Sequence, residues 1–312
     1  MRILRLILFF TSLFSVTFLL AAYLLATFSD TSASTGKIIS PLLPGTKSAV
    51  PDVKSFSTDF ATGLQEAVDE ALSGSKATYS VIVKDLESSA TFGYNPDRSY
   101  TTASLYKLWT MTVVYQQIEE GKLQKDEVLT SSAEDLNTAF DIASESAEIT
   151  EGDITMTVEE ALERMITVSE NYPALLLTKK IGISKISTFL KEGKFENSSV
   201  GQPPRTTASD LAQFFTKLYQ GELANTENTS EMITLLKRQR LNDRIPKYLP
   251  SSVEVAHKTG ELEGVKHDAG IIYTETGTYI LILLSDSNNP QVAAERMARI
   301  SENIYTALTS PK

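Results

Sequence analysis

The chain has 312 residues, 42% hydrophobic and 22% charged, with a formal net charge of −10. These values suit one globular domain of about 250 residues plus an appendage, and the acidic balance argues against nucleic acid as a partner. Cysteine is absent, which removes thiol nucleophiles, disulfides and cysteine zinc sites; only two histidines occur, His257 and His267. Neither H-E-x-x-H nor G-x-S-x-G is present, so a zinc hydrolase and an α/β-hydrolase elbow lack support, and no metal or cofactor is expected.

Arg2 and Arg5 precede an uncharged, mostly apolar stretch from Leu6 to Phe28. As a helix it would be about 35 Å long, enough to cross a hydrocarbon core of about 30 Å, whereas a secretory h-region is shorter. Residues 1–28 are therefore expected to be a membrane anchor, or a signal if cleaved. The two arginines would remain cytoplasmic and the rest would lie on the extracytoplasmic side. Residues 29–58, rich in Ser, Thr, Pro and Gly, read as a flexible linker with a reach of about 30 Å.

The globular part, residues 59–312, opens with a helix over Asp59–Leu72. Two strands, Ala77–Leu86 and Thr91–Tyr94, form a hairpin around Glu87-Ser88-Ser89-Ala90. Helical periodicity fills most of the span from Leu105 to Gln239, with loops around 130–150 and 193–206. Three strands follow, at Val253–Lys258, His267–Thr274 and Thr278–Ser285, and a helix over Gln291–Leu308 closes the chain. Two strands early and three late predict one mainly antiparallel sheet of five, covered by the terminal helices, with the helical middle as a second lobe.

Chemistry concentrates in three short segments. Ser104-Leu105-Tyr106-Lys107 opens a run with apolar residues at helical spacing, which Gly121 ends as a C′ residue. A serine there sits beside free backbone N–H groups, with the lysine one turn on along the same face. A second S-x-x-K, Ser73-Gly74-Ser75-Lys76, stands in a turn with no helix after it. Ser169-Glu170-Asn171 lies between a helix begun by a Thr157/Glu160 capping box and an apolar helix over Ala174–Ile181. Lys258-Thr259-Gly260 follows the alternating segment Val253–His257, and a glycine at a strand end marks close backbone approach.

S-x-x-K, S-E-N and K-T-G in this order resemble the signature of penicillin-recognising serine acyltransferases, the class A β-lactamases and D,D-peptidases. The resemblance runs from about residue 59 to the C-terminus and includes Val255–Gly260 and Arg205-Thr206-Thr207. It implies an α/β sandwich beside an all-α subdomain, with the site in the cleft between them. Ser104 would be the nucleophile and Lys107 its base. Ser169 would pass a proton to the leaving nitrogen, and Asn171 would hold Lys107 and the substrate amide. The backbone N–H groups of Ser104 and Glu261 would receive the oxyanion, and Lys258, Thr259 and Gly260 would bind the substrate carboxylate. Lys266 and His267 on the next strand would add positive charge there. A Ser-His-Asp arrangement through His267-Asp268 is disfavoured, because neighbours on a strand point to opposite faces.

The chain departs from the family pattern in two places. Glu170 stands where Asp is usual. The E-x-x-L-N motif, whose glutamate activates the deacylating water, is missing, and the segment from Lys194 to Arg205 is short; Glu192 and Glu196 lack the expected followers and read as surface charge. The expected activity is hydrolysis by an extracytoplasmic serine enzyme that β-lactams or D-Ala-D-Ala-like amides acylate. A D,D-carboxypeptidase or peptidoglycan hydrolase acting on stem peptides is the nearest alternative, and a catalytically idle wall-peptide-binding module is an alternative of another class.

Overall fold

The computed structural model describes residues 58–310. The expected anchor and nearly all of the expected linker lie outside the described residues. Among the described residues no helix is long and apolar enough to cross a membrane.

Along the chain, α1 (Thr58–Leu72) leads into the hairpin β1 (Thr78–Asp85) and β2 (Thr91–Tyr94). The short β3 (Tyr100–Thr101) and one 3-10 turn (Ala103–Tyr106) precede α2 (Lys107–Glu119). The middle of the chain holds β4 (Val128–Ser132), α3 (Ala133–Ala139), β5 (Asp153–Thr157), α4 (Val158–Thr167), α5 (Asn171–Ile181) and α6 (Ile183–Glu192). Next come β6 (Arg205–Thr206), α7 (Ala208–Tyr219) and α8 (Thr226–Lys237). The last elements are β7 (Glu254–Leu262), β8 (Val265–Thr274), β9 (Gly277–Asp286) and α9 (Pro290–Thr309).

Five strands form one antiparallel sheet in the order β2-β1-β9-β8-β7, the architecture expected from two early and three late strands. Alternation along β9 shows how the sheet is held. Ile280, Ile282 and Leu284 join the large core shared with the helical lobe, while Tyr279, Leu281 and Leu283 pack against α1 and α9. Both faces are covered, so β9 reads as a continuous apolar run. Each fully buried aliphatic side chain contributes about 1.5–3 kcal/mol.

Local signals held where their chemistry is strong. Thr157 caps α4 by accepting from the Glu160 N–H at 3.1 Å. Gly121 follows α2 at a φ of +68°, a conformation that only glycine adopts without strain. Three details differ from the sequence expectation. The Lys258-Thr259-Gly260 segment lies inside β7, which runs on to Leu262 and turns tightly through Gly264 at a φ of +74°. The region around 130–150 contains β4 and α3, and β4 pairs with β5 as a separate ladder. β3 and β6 form another two-stranded ladder. These short ribbons are too brief to show a hydrophobic period.

Candidate active site

Ser104 stands in the 3-10 turn that opens α2, anchored by Leu105 and Leu108, both fully buried. The β3–β6 ladder fixes the approach to this turn, and the Thr102 N–H donates to the Pro204 carbonyl at 2.9 Å. Ala103 is left-handed, with a φ of +46°, and Ser169 across the cavity is left-handed at +61°. Each such non-glycine residue costs about 1–3 kcal/mol, and two of them line one pocket, the pattern of a site held against local preference.

β7 passes the turn at Gly260. A Cβ there would lie 3.0 Å from the Thr102 carbonyl oxygen and 3.2 Å from Leu105 Cγ. This close approach is the reason for a glycine, and it brings the next residue, Glu261, to the cavity that Ser104 lines.

Lys107 is fully buried. Its Nζ donates to the Ser169 carbonyl at 2.6 Å, to Asn171 Oδ1 at 2.8 Å and to the Glu170 carbonyl at 3.1 Å; Ser169 Oγ is 3.4 Å away. Three carbonyl-type acceptors match the three protons of an ammonium. Burial opposes that charge and pulls the pKa down to about 7, against the upward pull of Glu148 and Glu170. Both protonation states are therefore within reach at neutral pH.

Lys258, also fully buried, donates to Ser169 Oγ at 2.8 Å and to the Thr259 carbonyl at 2.8 Å. Burial and the nearby Lys107 hold it well below the ordinary lysine range. One serine hydroxyl thus lies between two buried amines. Thr259, also buried, borders the same cavity. Glu170 turns outward to a salt bridge with Arg164 at 2.7 Å, so the motif's middle residue bonds Lys107 through its carbonyl and acts on it with its side-chain charge only from a distance.

His267 does not add the positive charge expected of it. Its Nε2–H donates to the Thr101 carbonyl at 2.8 Å and its Nδ1 accepts from the Ser285 N–H at 3.2 Å, an arrangement that needs the neutral ring. Burial pushes its pKa down to about 4. Asp268 faces the other way, accepting from His257 Nδ1 at 2.8 Å and from the Ile245 N–H at 3.0 Å, so no Ser-His-Asp triad forms through that pair. Lys266 reaches the neighbourhood of the site, but its amine is spent on the Glu261 carboxylate.

Two site neighbours escaped the sequence reading. Glu148, in the connection between α3 and β5, accepts from Asn171 Nδ2 at 2.5 Å and so fixes which end of that amide faces Lys107. Arg244, almost wholly buried, donates from Nη2 to Glu261 Oε2 at 2.6 Å. Both lie in irregular polar segments, where no periodicity marks them out. Glu192 and Glu196 are exposed and border other parts of the surface, as expected of surface charge. Among the described residues, no group of three or more His, Asp or Glu side chains is placed to hold a metal ion.

Ser104, Ser169, Asn171, Thr259 and Glu261 therefore border one cavity of about 400 Å³, with Lys107 and Lys258 buried behind it. Chemically this supplies a hydroxyl at a helix entrance, a buried amine able to change charge near neutrality, and a second hydroxyl between two amines.

Comparison with known proteins agrees with the architecture. Over 268 residues the chain is 22% identical to the extended-spectrum beta-lactamase PER-1 of Pseudomonas aeruginosa, covering 78% of this chain and 86% of that one. The crystal structure of a beta-lactamase from Sphaerobacter thermophilus superposes with a TM-score of 0.70 at 22% identity, covering 80% of this chain and 99% of the other. The structure of PBP-A matches with a TM-score of 0.68 at 22% identity, covering 79% and 96%; a mutant of PBP-A in acyl-enzyme complex with penicillin-G matches at the same TM-score. These likenesses show the fold. The family model described as the beta-lactamase enzyme family matches residues 63–308, most of the chain, and the protein belongs to that family.

Proposed function

We propose that this protein is a serine hydrolase acylated at Ser104 by β-lactams or D-Ala-D-Ala-like amides. The observation that carries the reading is the pair of buried amines, Lys107 and Lys258, on either side of the Ser169 hydroxyl, which borders the same cavity as Ser104. Two charged ammonium groups so close and so buried repel each other and lose hydration, so at least one is neutral and able to take a proton.

In the first step Ser104 Oγ bonds to the carbonyl carbon and its proton passes to Lys107 Nζ. The negative charge that develops on the carbonyl oxygen is received by the backbone N–H groups of Ser104 and Glu261. As the carbon–nitrogen bond breaks, Ser169 Oγ gives its proton to the leaving nitrogen and is reprotonated from the lysine pair. Asn171, oriented by Glu148, holds Lys107 and offers its edge to the substrate amide. Thr259 and Gly260 form the strand along which the substrate lies. Water then clears the acyl-enzyme, slowly for want of the E-x-x-L-N glutamate.

The apolar N-terminal stretch with Arg2 and Arg5 before it supports a location of this domain, residues 59–312, on the extracytoplasmic side of a membrane, or free outside it if the segment is removed. A D,D-carboxypeptidase acting on peptidoglycan stem peptides shares the acylation step. The short connection from Lys194 to Arg205, which carries no E-x-x-L-N glutamate, favours it as the second reading.

Intact mass spectrometry during penicillin exposure tests the proposal. A covalent adduct on Ser104 is expected, and none on Ser104→Ala; equal labelling of both proteins would refute the assignment. Sustained nitrocefin turnover would favour the lactamase, a stoichiometric burst the peptidase. Gly260→Ala should slow acylation by about 10–100-fold, because a Cβ 3.0 Å from the Thr102 carbonyl pushes β7 off the turn and spoils a donor pair worth more than that in full. A rate within twofold of wild type would show that the approach is not needed.

A further inference from the structure

The only charged side chain among the described residues that line the Ser104 cavity is Glu261, and it is half exposed. Two cations stand behind it. Arg244 is buried and donates to Glu261 Oε2 at 2.6 Å; Lys266 is buried and pairs with the same oxygen. Asp243 flanks both, 3.4 Å from Arg244 Nη1 and 3.9 Å from Lys266 Nζ. Arg244 Nε and Nη1 are nevertheless buried with no hydrogen-bond partner. A guanidinium presents five donors in a fixed fork that suits a two-oxygen acceptor, so this one is under-used.

Arg244 and Lys266, two cations that could receive a ligand's anionic group, are thus occupied by a carboxylate of the chain itself. We propose that Glu261 determines substrate specificity by filling this subsite, so that the enzyme prefers acyl donors with an uncharged or cationic group there over donors bearing a carboxylate. The inference rests on the acylation reading above and adds to it the charge class of the substrate. An anionic donor must meet the Glu261 carboxylate head-on or drive it out into solvent, releasing Arg244 and Lys266. A neutral donor leaves the Arg244–Glu261–Lys266 cluster in place. Burial, the largest single influence on Glu261, favours its neutral form, but the two cations outweigh it and hold its pKa below the usual range, so the blocking charge persists at neutral pH. Glu261 therefore has two separable parts: its backbone N–H serves any acyl donor, and its side chain sorts donors by charge.

The test measures equilibrium binding of benzylpenicillin and of its methyl ester to Ser104→Ala and to Ser104→Ala/Glu261→Gln by calorimetry. Without the nucleophile, no acylation is needed. The ratio of acid to ester affinity should rise at least tenfold with Glu261→Gln, and the gain should shrink with added salt, as expected for an exposed charge. An unchanged or lowered ratio, or no measurable binding of the acid to the Gln protein, overturns the proposal. Failure of the acylation reading shows itself separately, as the absence of a Ser104 adduct in the otherwise unaltered chain.

Discussion

Lys107→Ala should lower the acylation rate of Ser104 by about 10²–10⁴-fold, the range expected when a positioned general base is lost. The amine is wholly buried at the start of α2, the helix that the 3-10 turn carrying Ser104 opens. His267 is neutral and bonded to backbone groups at both nitrogens, so it cannot substitute. Stopped-flow measurement with a chromogenic penicillin, checked by mass spectrometry, gives the rate; a fall of less than tenfold would remove Lys107 from the base role.

The same lysine sets the pH profile. A pKa near 7 means that the neutral amine is the minor form below neutrality. Acylation should climb about tenfold per pH unit below pH 7 and level off above it. Glu148→Gln removes a charge that raises this pKa, so the rising limb should move to lower pH. A limb that stays in place would show that Glu148 acts only through its hydrogen bond to Asn171. The linkage to stability has a definite sign. Because the folded pKa lies below the unfolded value, the native state holds fewer protons between about pH 7 and 10.4, and this group's contribution to stability rises with pH across that window.

Much of the frame is visible in the residues. Antiparallel strands with covered faces leave long apolar runs such as Tyr279–Leu284, and helices announce themselves through caps such as Thr157 and ends such as Gly121. The sequence also presents the residues that the fold assembles. Ser104, Ser169 and the Thr259–Glu261 segment are far apart along the chain, and their shared border on one cavity was expected from motif order and not from periodicity. What stayed hidden has physical causes. The β4–β5 and β3–β6 ribbons are stabilised by what they cross, not by an internal pattern. Lys258 looked like a group facing a ligand, yet its Nζ turns to Ser169 and to its own strand, because only three-dimensional packing decides where a flexible four-carbon stem ends. Glu148 and Arg244 sit in irregular polar segments, and their roles arise from contacts 23 and 17 residues away, with Asn171 and Glu261.

Asp268→Ala should destabilise the fold by about 3–5 kcal/mol. Asp268 is fully buried on β8, and its two oxygens accept from different parts of the chain, His257 Nδ1 at 2.8 Å and the Ile245 N–H at 3.0 Å. Truncation leaves both donors buried without a partner, at about 1–3 kcal/mol each, and opens a small void. The loss reaches beyond β8, because the Ile245 carbonyl accepts from Ser301 Oγ on α9 at 2.8 Å, so this one segment is tied to both the sheet and the terminal helix. Its neighbour Arg244 carries the guanidinium that reaches Glu261. Loosening residue 245 therefore frees residue 244, and the charge cluster beside the cavity loosens with the fold. Asp268 also pulls the Lys258 pKa upward, so its removal lets that amine fall further toward the neutral form. Asp268→Asn keeps one acceptor oxygen and should lose only about 1–3 kcal/mol, since one of the two bonds survives. Urea denaturation followed by Trp109 fluorescence measures both variants. Stabilities within about 0.5 kcal/mol of wild type, the range of a neutral surface change, would show that the two bonds do not hold this segment down.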